Sequence, residues 1–249
     1  MRQICRLLLL LPLLAACAAP RASEPPTLSA AARLRLLEAQ LPEAGGPGEY
    51  PVLRRLAEAA PEDAALQDRL ARAAERAGQP AEALAAQERA IALGGSSADR
   101  LAARGRLALL AGDLPLARRS FEAALLAEPG LVAAMSGLAV CHDLAGEPAE
   151  AQRWHQAALL TAPADWPVRV NYAMSRLLAA QPAEAARLLA AAEQDPAAPR
   201  RARHNLALAL AAQNRPALAE TVLSRDMAPP EARALVVAFT QWAAQRGRP

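Results

Sequence analysis

Two consecutive stretches, 98–131 and 132–165, align residue for residue without a gap. Gly105 falls opposite Ala139, Gly112 opposite Gly146, Ala117 opposite Ala151, Ala124 opposite Ala158 and Pro129 opposite Pro163. A period of 34 residues with small residues at fixed phase and a closing proline restricts the chain to a stack of helical hairpins. One such hairpin is too small to bury its own apolar face, so each must pack on the next. The small residues mark places where helices approach closely and a larger side chain would overpack the contact. Gly112 and Gly146 allow the turn between the two helices of a unit. Pro129 and Pro163 end the second helix by excluding the α conformation from the residue before them.

The register extends in both directions. Upstream, 64–97 places Ala71, Gly78, Ala83 and Ala90 in the same columns, and Gly94-Gly95 replaces the closing proline. Downstream, 166–199 supplies Ala173, Ala185 and Ala192, with Ala180 where the turn glycine stood. The unit 200–233 supplies Ala207 and Ala219, with Asn214 at the turn and Asp226 breaking the last small column. Pro80, Pro115, Pro148, Pro182 and Pro216 recur just after the turns. A proline in the first turn of a helix loses no hydrogen bond, so these five mark helix starts. Residues 30–63 read as a degenerate N-terminal hairpin interrupted by Gly45-Gly46-Pro47-Gly48. At the other end Pro229-Pro230 opens a helix running to about Gln245, whose Leu235, Val236, Phe239 and Trp242 are spaced for one face. The segment 234–249 is the expected capping helix and tail.

Composition agrees with an all-helical chain. Apolar residues make up 53% and aromatics only 3%, the excess being Ala and Leu, which favour helix over strand. The 28 basic residues are all Arg, against 25 acidic ones. A near-neutral, mixed-charge chain gives no reason to invoke nucleic acid.

Residues 1–16 read as a secretory signal peptide. Arg2 and Arg6 form a positive start, and Leu7 to Ala16 an apolar run too short to span a bilayer as a stable anchor. The closing tetrapeptide Leu14-Ala15-Ala16-Cys17 resembles the bacterial lipobox. That resemblance implies cleavage before Cys17, lipidation of Cys17 and stable anchoring by two or three acyl chains. Ala18, where an Asp would retain the protein at the inner membrane, implies the outer membrane and its periplasmic face. Residues 17–29 carry three prolines and read as an extended tether. With Cys5 removed and Cys17 acylated, Cys141 remains alone, and no intramolecular disulfide is expected.

The repeats resemble tetratricopeptide repeats, which implies an all-α solenoid, a right-handed superhelix of antiparallel helix pairs closed by a C-terminal capping helix. Several runs are more specific: Gly137-Leu138-Ala139-Val140, Asp143-Leu144-Ala145-Gly146, Ala149-Glu150-Ala151-Gln152, Asn171-Tyr172-Ala173-Met174-Ser175 and 201–210. Together with the lipobox they resemble the TadD family, the lipoproteins of the tight-adherence (Tad/Flp) pilus. Ala180, Asn214 and His155 depart from that pattern. The resemblance implies a noncatalytic assembly factor for the outer-membrane secretin through which the pilus leaves. The alternatives are a pilotin of another secretion system or a scaffold for peptidoglycan enzymes.

No phosphate-binding loop, His-Glu-x-x-His or Gly-x-Ser-x-Gly motif occurs. No catalytic residue, cofactor or metal is expected. Cys141, His142 and His155 are the residues on which a metal or thiol enzyme would have to be built, but adjacent residues on a helix face different ways. The expected working surface is the concave face, lined by the first helix of each unit. In the last two units it places Val170, Asn171 and Met174, then Arg201, His204, Asn205 and Leu208, at helical spacing. Apolar side chains with two amides and an Arg suit a peptide, the amides bonding its backbone. The same amides equally suit bonds between neighbouring helices.

Overall fold

A computed structural model describes residues 48–246, together with Leu36, Ala39 and Gly46. The signal peptide, Cys17 with its tether, most of 30–47 and the last three residues lie outside the described residues. Twelve α-helices run between Glu49 and Arg246: α1 (Glu49–Ala59), α2 (Ala64–Arg76), α3 (Pro80–Gly94), α4 (Ala98–Ala111), α5 (Leu114–Ala127) and α6 (Val132–Leu144). There follow α7 (Pro148–Thr161), α8 (Trp166–Leu178), α9 (Pro182–Leu189), α10 (Arg200–Ala212), α11 (Pro216–Leu223) and α12 (Pro229–Arg246). A 3-10 turn, Ala190–Glu193, extends α9. No strand occurs among the described residues.

Local chemistry sets these boundaries. The carboxylates of Asp63, Asp113 and Asp165 accept from the amides of Leu66, Leu116 and Val168 at 2.9–3.0 Å, satisfying donors that the first turn leaves free. Prolines occupy the first turns of α3, α5, α7, α9 and α11. Each first helix ends in the same left-handed turn, with Gly78, Gly112, Gly146, Ala180 and Asn214 at positive φ. The next amide in each case reaches back five residues to a helix carbonyl, as in Gln79 to Ala74 (2.8 Å) and Gln181 to Arg176 (2.8 Å).

The small-residue columns form the inside of the stack. Ala71, Ala83, Ala90, Ala117, Ala124, Ala151, Ala158, Ala173, Ala185, Ala192, Ala207 and Ala219 are all exposed by 1% or less. Successive first helices pack on one another, α4 on α6, α6 on α8 and α8 on α10. The second helices of neighbouring units make no comparable contact among the described residues. A layer whose helices touch is the inner side of a curved stack, and a layer whose helices splay is the outer side. The first helices therefore line the concave face. α12 packs on α10 and α11, burying Ala232 and Val236 against the last unit and closing the array. None of the described helices is long and apolar enough to cross a membrane.

Candidate protein-binding face

Repeat phase orders the side chains on the first helices. Arg72, Arg106, Val140, Met174 and Leu208 are each 34 residues apart and form one row across α2, α4, α6, α8 and α10. Arg76, Leu110, Leu144, Leu178 and Ala212, four residues further along each helix, form a neighbouring row.

The candidate residues of α8 and α10 divide between interior and surface. Val170 and Leu208 are buried in the C-terminal core, and Met174 packs partly buried against it. Asn171 donates from Nδ2 to Ser136 Oγ at 3.0 Å, tying α8 to α6. The helix-bonding alternative therefore describes Asn171. Asn205 is half-buried at the same phase of α10, and Arg201 is exposed. His204 is half-buried, and its Nε2 is buried without a hydrogen-bond partner in the protein. Burial first, then Arg200, holds its imidazole below the ordinary value, so it is neutral near pH 7. Asn171, Met174, Arg201, His204 and Asn205 thus retain open surface, whereas Val170 and Leu208 support them from beneath.

The residues of the enzyme alternative do not converge. Cys141 is buried, and burial pushes its thiol up to about 11. His142 Nδ1 lies 2.5 Å from Glu147 Oε2, and this contact, with Arg118 nearby, holds the Glu147 carboxyl below its usual value. His155 turns to a different partner, its Nε2 lying 2.9 Å from Asp143 Oδ2. No group of three His, Cys, Asp or Glu side chains suited to a metal occurs among the described residues.

Three features escaped the sequence reading. The first is a polar cluster at the α6–α7–α8 junction. Asp143 accepts from Ser175 Oγ (2.8 Å) while meeting His155, and His155 stacks on Tyr172 with ring centres 5.1 Å apart. Its signal was Asp143 itself, a carboxylate between Leu109 and Leu177 in a row that also holds Glu75 and Ala211. The second is buried Arg176, which lies over Tyr172 (5.2 Å) and donates to Gln181 (2.9 Å) and Gln152 (3.4 Å). The third is a cavity of about 490 Å³ on the outer side, between α9 and α11 and floored by Leu206 and Leu210 of α10. It opens where those two second helices shorten to eight residues each.

Residues 108–177 match the family model for the tetratricopeptide repeat. A search of curated proteins finds no significant match. Among solved structures, the fold is similar to that of the Cut9–Hcn1 hetero-tetramer of the APC/C, with 15% identity and a TM-score of 0.65. That match covers 86% of this chain and 42% of the other, so the chain spans less than half of that relative's length. TTC0263, a tetratricopeptide protein of Thermus thermophilus, matches at 18% identity and a TM-score of 0.61, over 74% of this chain and all of the other. The pilF protein of Pseudomonas aeruginosa matches at 16% identity and a TM-score of 0.58, over 84% and 96%. At these identities the likeness is one of fold, and the fold is a tetratricopeptide solenoid.

Proposed function

We propose that this tetratricopeptide chain is a noncatalytic protein-binding lipoprotein of the periplasmic face of the bacterial outer membrane, held there through Cys17. Its role is to support the assembly or localisation of the secretin of a Tad/Flp pilus. The observation that carries the binding part of this reading is the row structure of the inner face. Leu110 and Leu144 stand exposed there at identical phase, beside half-exposed Val140 and Met174. Large apolar side chains repeated on one concave surface mark an interaction site more than chance exposure does. The lipobox-like Leu14-Ala15-Ala16-Cys17 supports the membrane anchor, and the runs at 137–152, 171–175 and 201–210 support the pilus assignment.

The test is secretin assembly in a strain lacking the gene. Outer-membrane fractions are compared for assembled multimers after complementation with the native gene or with Cys17→Ser. Multimers lost in the deletion, restored by the native gene and poorly restored by Cys17→Ser are the expected result. Normal secretin multimers and normal pili in the deletion would remove the pilus assignment and leave the binding face to another partner.

A further inference from the structure

The inner face is not uniform along the array. On α2 its two rows carry Arg72 and Arg76, with Arg69 one turn earlier on the same side, and on α4 they carry Arg106 and Leu110. From α6 onward the same two rows carry Val140, Met174, Leu208, Leu144, Leu178 and Ala212, while exposed Arg201 stands on the same face at the start of α10. The apolar row is open to solvent: Leu110 is 56% exposed, Leu144 63% and Leu178 44%. Within the basic half, Arg76 pairs with Glu49 and Arg106 with Glu75. Arg100 pairs with Asp68 at 2.8 Å. Glu49, Asp68 and Glu75 are thereby engaged, whereas exposed Asp99 at the start of α4 meets no cation among the described residues. Arg69 and Arg72 are exposed and meet no carboxylate among the described residues.

From this pattern we infer that the partner segment is itself divided, with an acidic block that lies over α2 and an apolar block that lies over α4, α6 and α8. The inference rests on the inner face being the binding face and adds the chemistry of what binds it. Charge complementarity sets the first block. Guanidiniums that are exposed and unmatched cost nothing to hold in water and gain bidentate bonds when a carboxylate arrives. The leucine row sets the second, because its side chains recover their apolar burial only against an apolar surface. Neighbouring first helices stand about 10 Å apart, so α2 to α8 spans about 30 Å. An extended chain rising about 3.3 Å per residue crosses that distance in roughly nine residues. A partner of uniform character would leave either Arg69 and Arg72 or the leucine row unmatched. The two blocks also fix the direction in which the segment lies.

The probes are three fluorescein-labelled peptides of equal length that share one Leu/Val block. They differ in the preceding block, which is Glu/Asp, Ser or Lys. Binding to the full chain is read by fluorescence anisotropy at low and moderate salt. The acidic peptide is expected to bind at least tenfold more tightly than the Ser peptide, to weaken as salt rises, and to exceed the Lys peptide by more. The double variant Arg69→Glu/Arg72→Glu should reverse the order in favour of the Lys peptide. That reversal cannot come from misfolding, and thermal unfolding followed by circular dichroism checks the fold directly. A second variant, Leu110→Gln/Leu144→Gln, should weaken all three peptides. Equal binding of the three, unaltered by the Arg variants but weakened by the Leu variant, overturns the division while leaving the inner face as the binding face. Absence of binding by any peptide also overturns it, and the secretin assay still decides the pilus role separately.

Discussion

Phe121 shows how finely single residues set the stack. Its ring lies between the backbones of Gly105 and Gly137, on the first helices of two successive units. A Cβ at Gly105 would meet the ring at 2.8 Å, and one at Gly137 would meet it more closely still. Phe121 is buried, with 2% of its surface exposed. Gly137→Ala should therefore destabilise the chain by about 1–3 kcal/mol through overpacking, although Ala is the better helix former. Phe121→Leu in the same background should recover part of the loss, as read by urea unfolding. The glycine at 105 was legible from its column, but Gly137 was not, because its neighbour belongs to the preceding unit. Cys141 makes the second case at this scale. A buried thiol raised to about 11 carries almost no thiolate at pH 8. It should stay unlabelled by a thiol-reactive dye at pH 8 in the native protein and react promptly in 6 M guanidinium. Fast labelling of the folded chain would show that the α6–α7 contact opens.

At the scale of elements, helix starts and turns were open to reading because each depends on a few adjacent residues. The prolines at 80, 115, 148, 182 and 216 lie in first turns, and the five turn positions lie at positive φ. Ala180 adopts φ 56° without the freedom of glycine. A left-handed Ala costs about 1–2 kcal/mol. Ala180→Gly should therefore raise stability by about 1 kcal/mol, against almost no change for Asn214→Gly, since Asn tolerates this conformation. Equal effects at the two sites would mean that strain at Ala180 is relieved elsewhere. Contacts between elements were harder to read. Asp226 looked like a defect in a small-residue column, yet it accepts two bonds from Arg203 at 2.8 Å and joins the turn after α11 to α10. The bond from Arg203 holds the Asp226 carboxyl below its usual value. A depressed folded-state value stabilises the fold above the unfolded-state value of about 3.9, and the contribution disappears as pH falls through the folded one. Asp226→Asn should cost about 2 kcal/mol at pH 7. The gap from the native chain should narrow below about pH 4, as measured by urea midpoints across that range.

Across the whole molecule the array is not evenly coupled. A repeat stack is stable through nearest-neighbour contacts, so its weakest interface decides whether it unfolds as one body. From Val170 to Val236 one apolar cluster runs continuously through α8 to α12. The described part of the chain before it holds separate clusters, one from Leu53 to Leu107, another from Leu101 to Cys141, and a small one of Met135, Ala158 and Val168 that joins α6 and α7 to the start of α8. Between the two regions α7 meets α8 less extensively than any other consecutive pair of helices meets. At that boundary lies the polar cluster of Asp143, His155, Ser175 and Tyr172. Hydrogen bonds there act over short distances and in fixed directions, so a small tilt between units loses them together. Local repeat phase could not disclose this boundary, because it arises from how two units face each other. Hydrogen exchange of the full chain in low urea should therefore show two cooperative groups of amides, divided between Thr161 and Trp166. His155→Ala removes the bond to Asp143 and the stack on Tyr172, and should move the two groups' midpoints further apart. Each step should then carry a smaller m-value than the native transition. If all amides from α2 to α12 exchange together in both proteins, the array is one cooperative body and contacts other than those of His155 couple its halves.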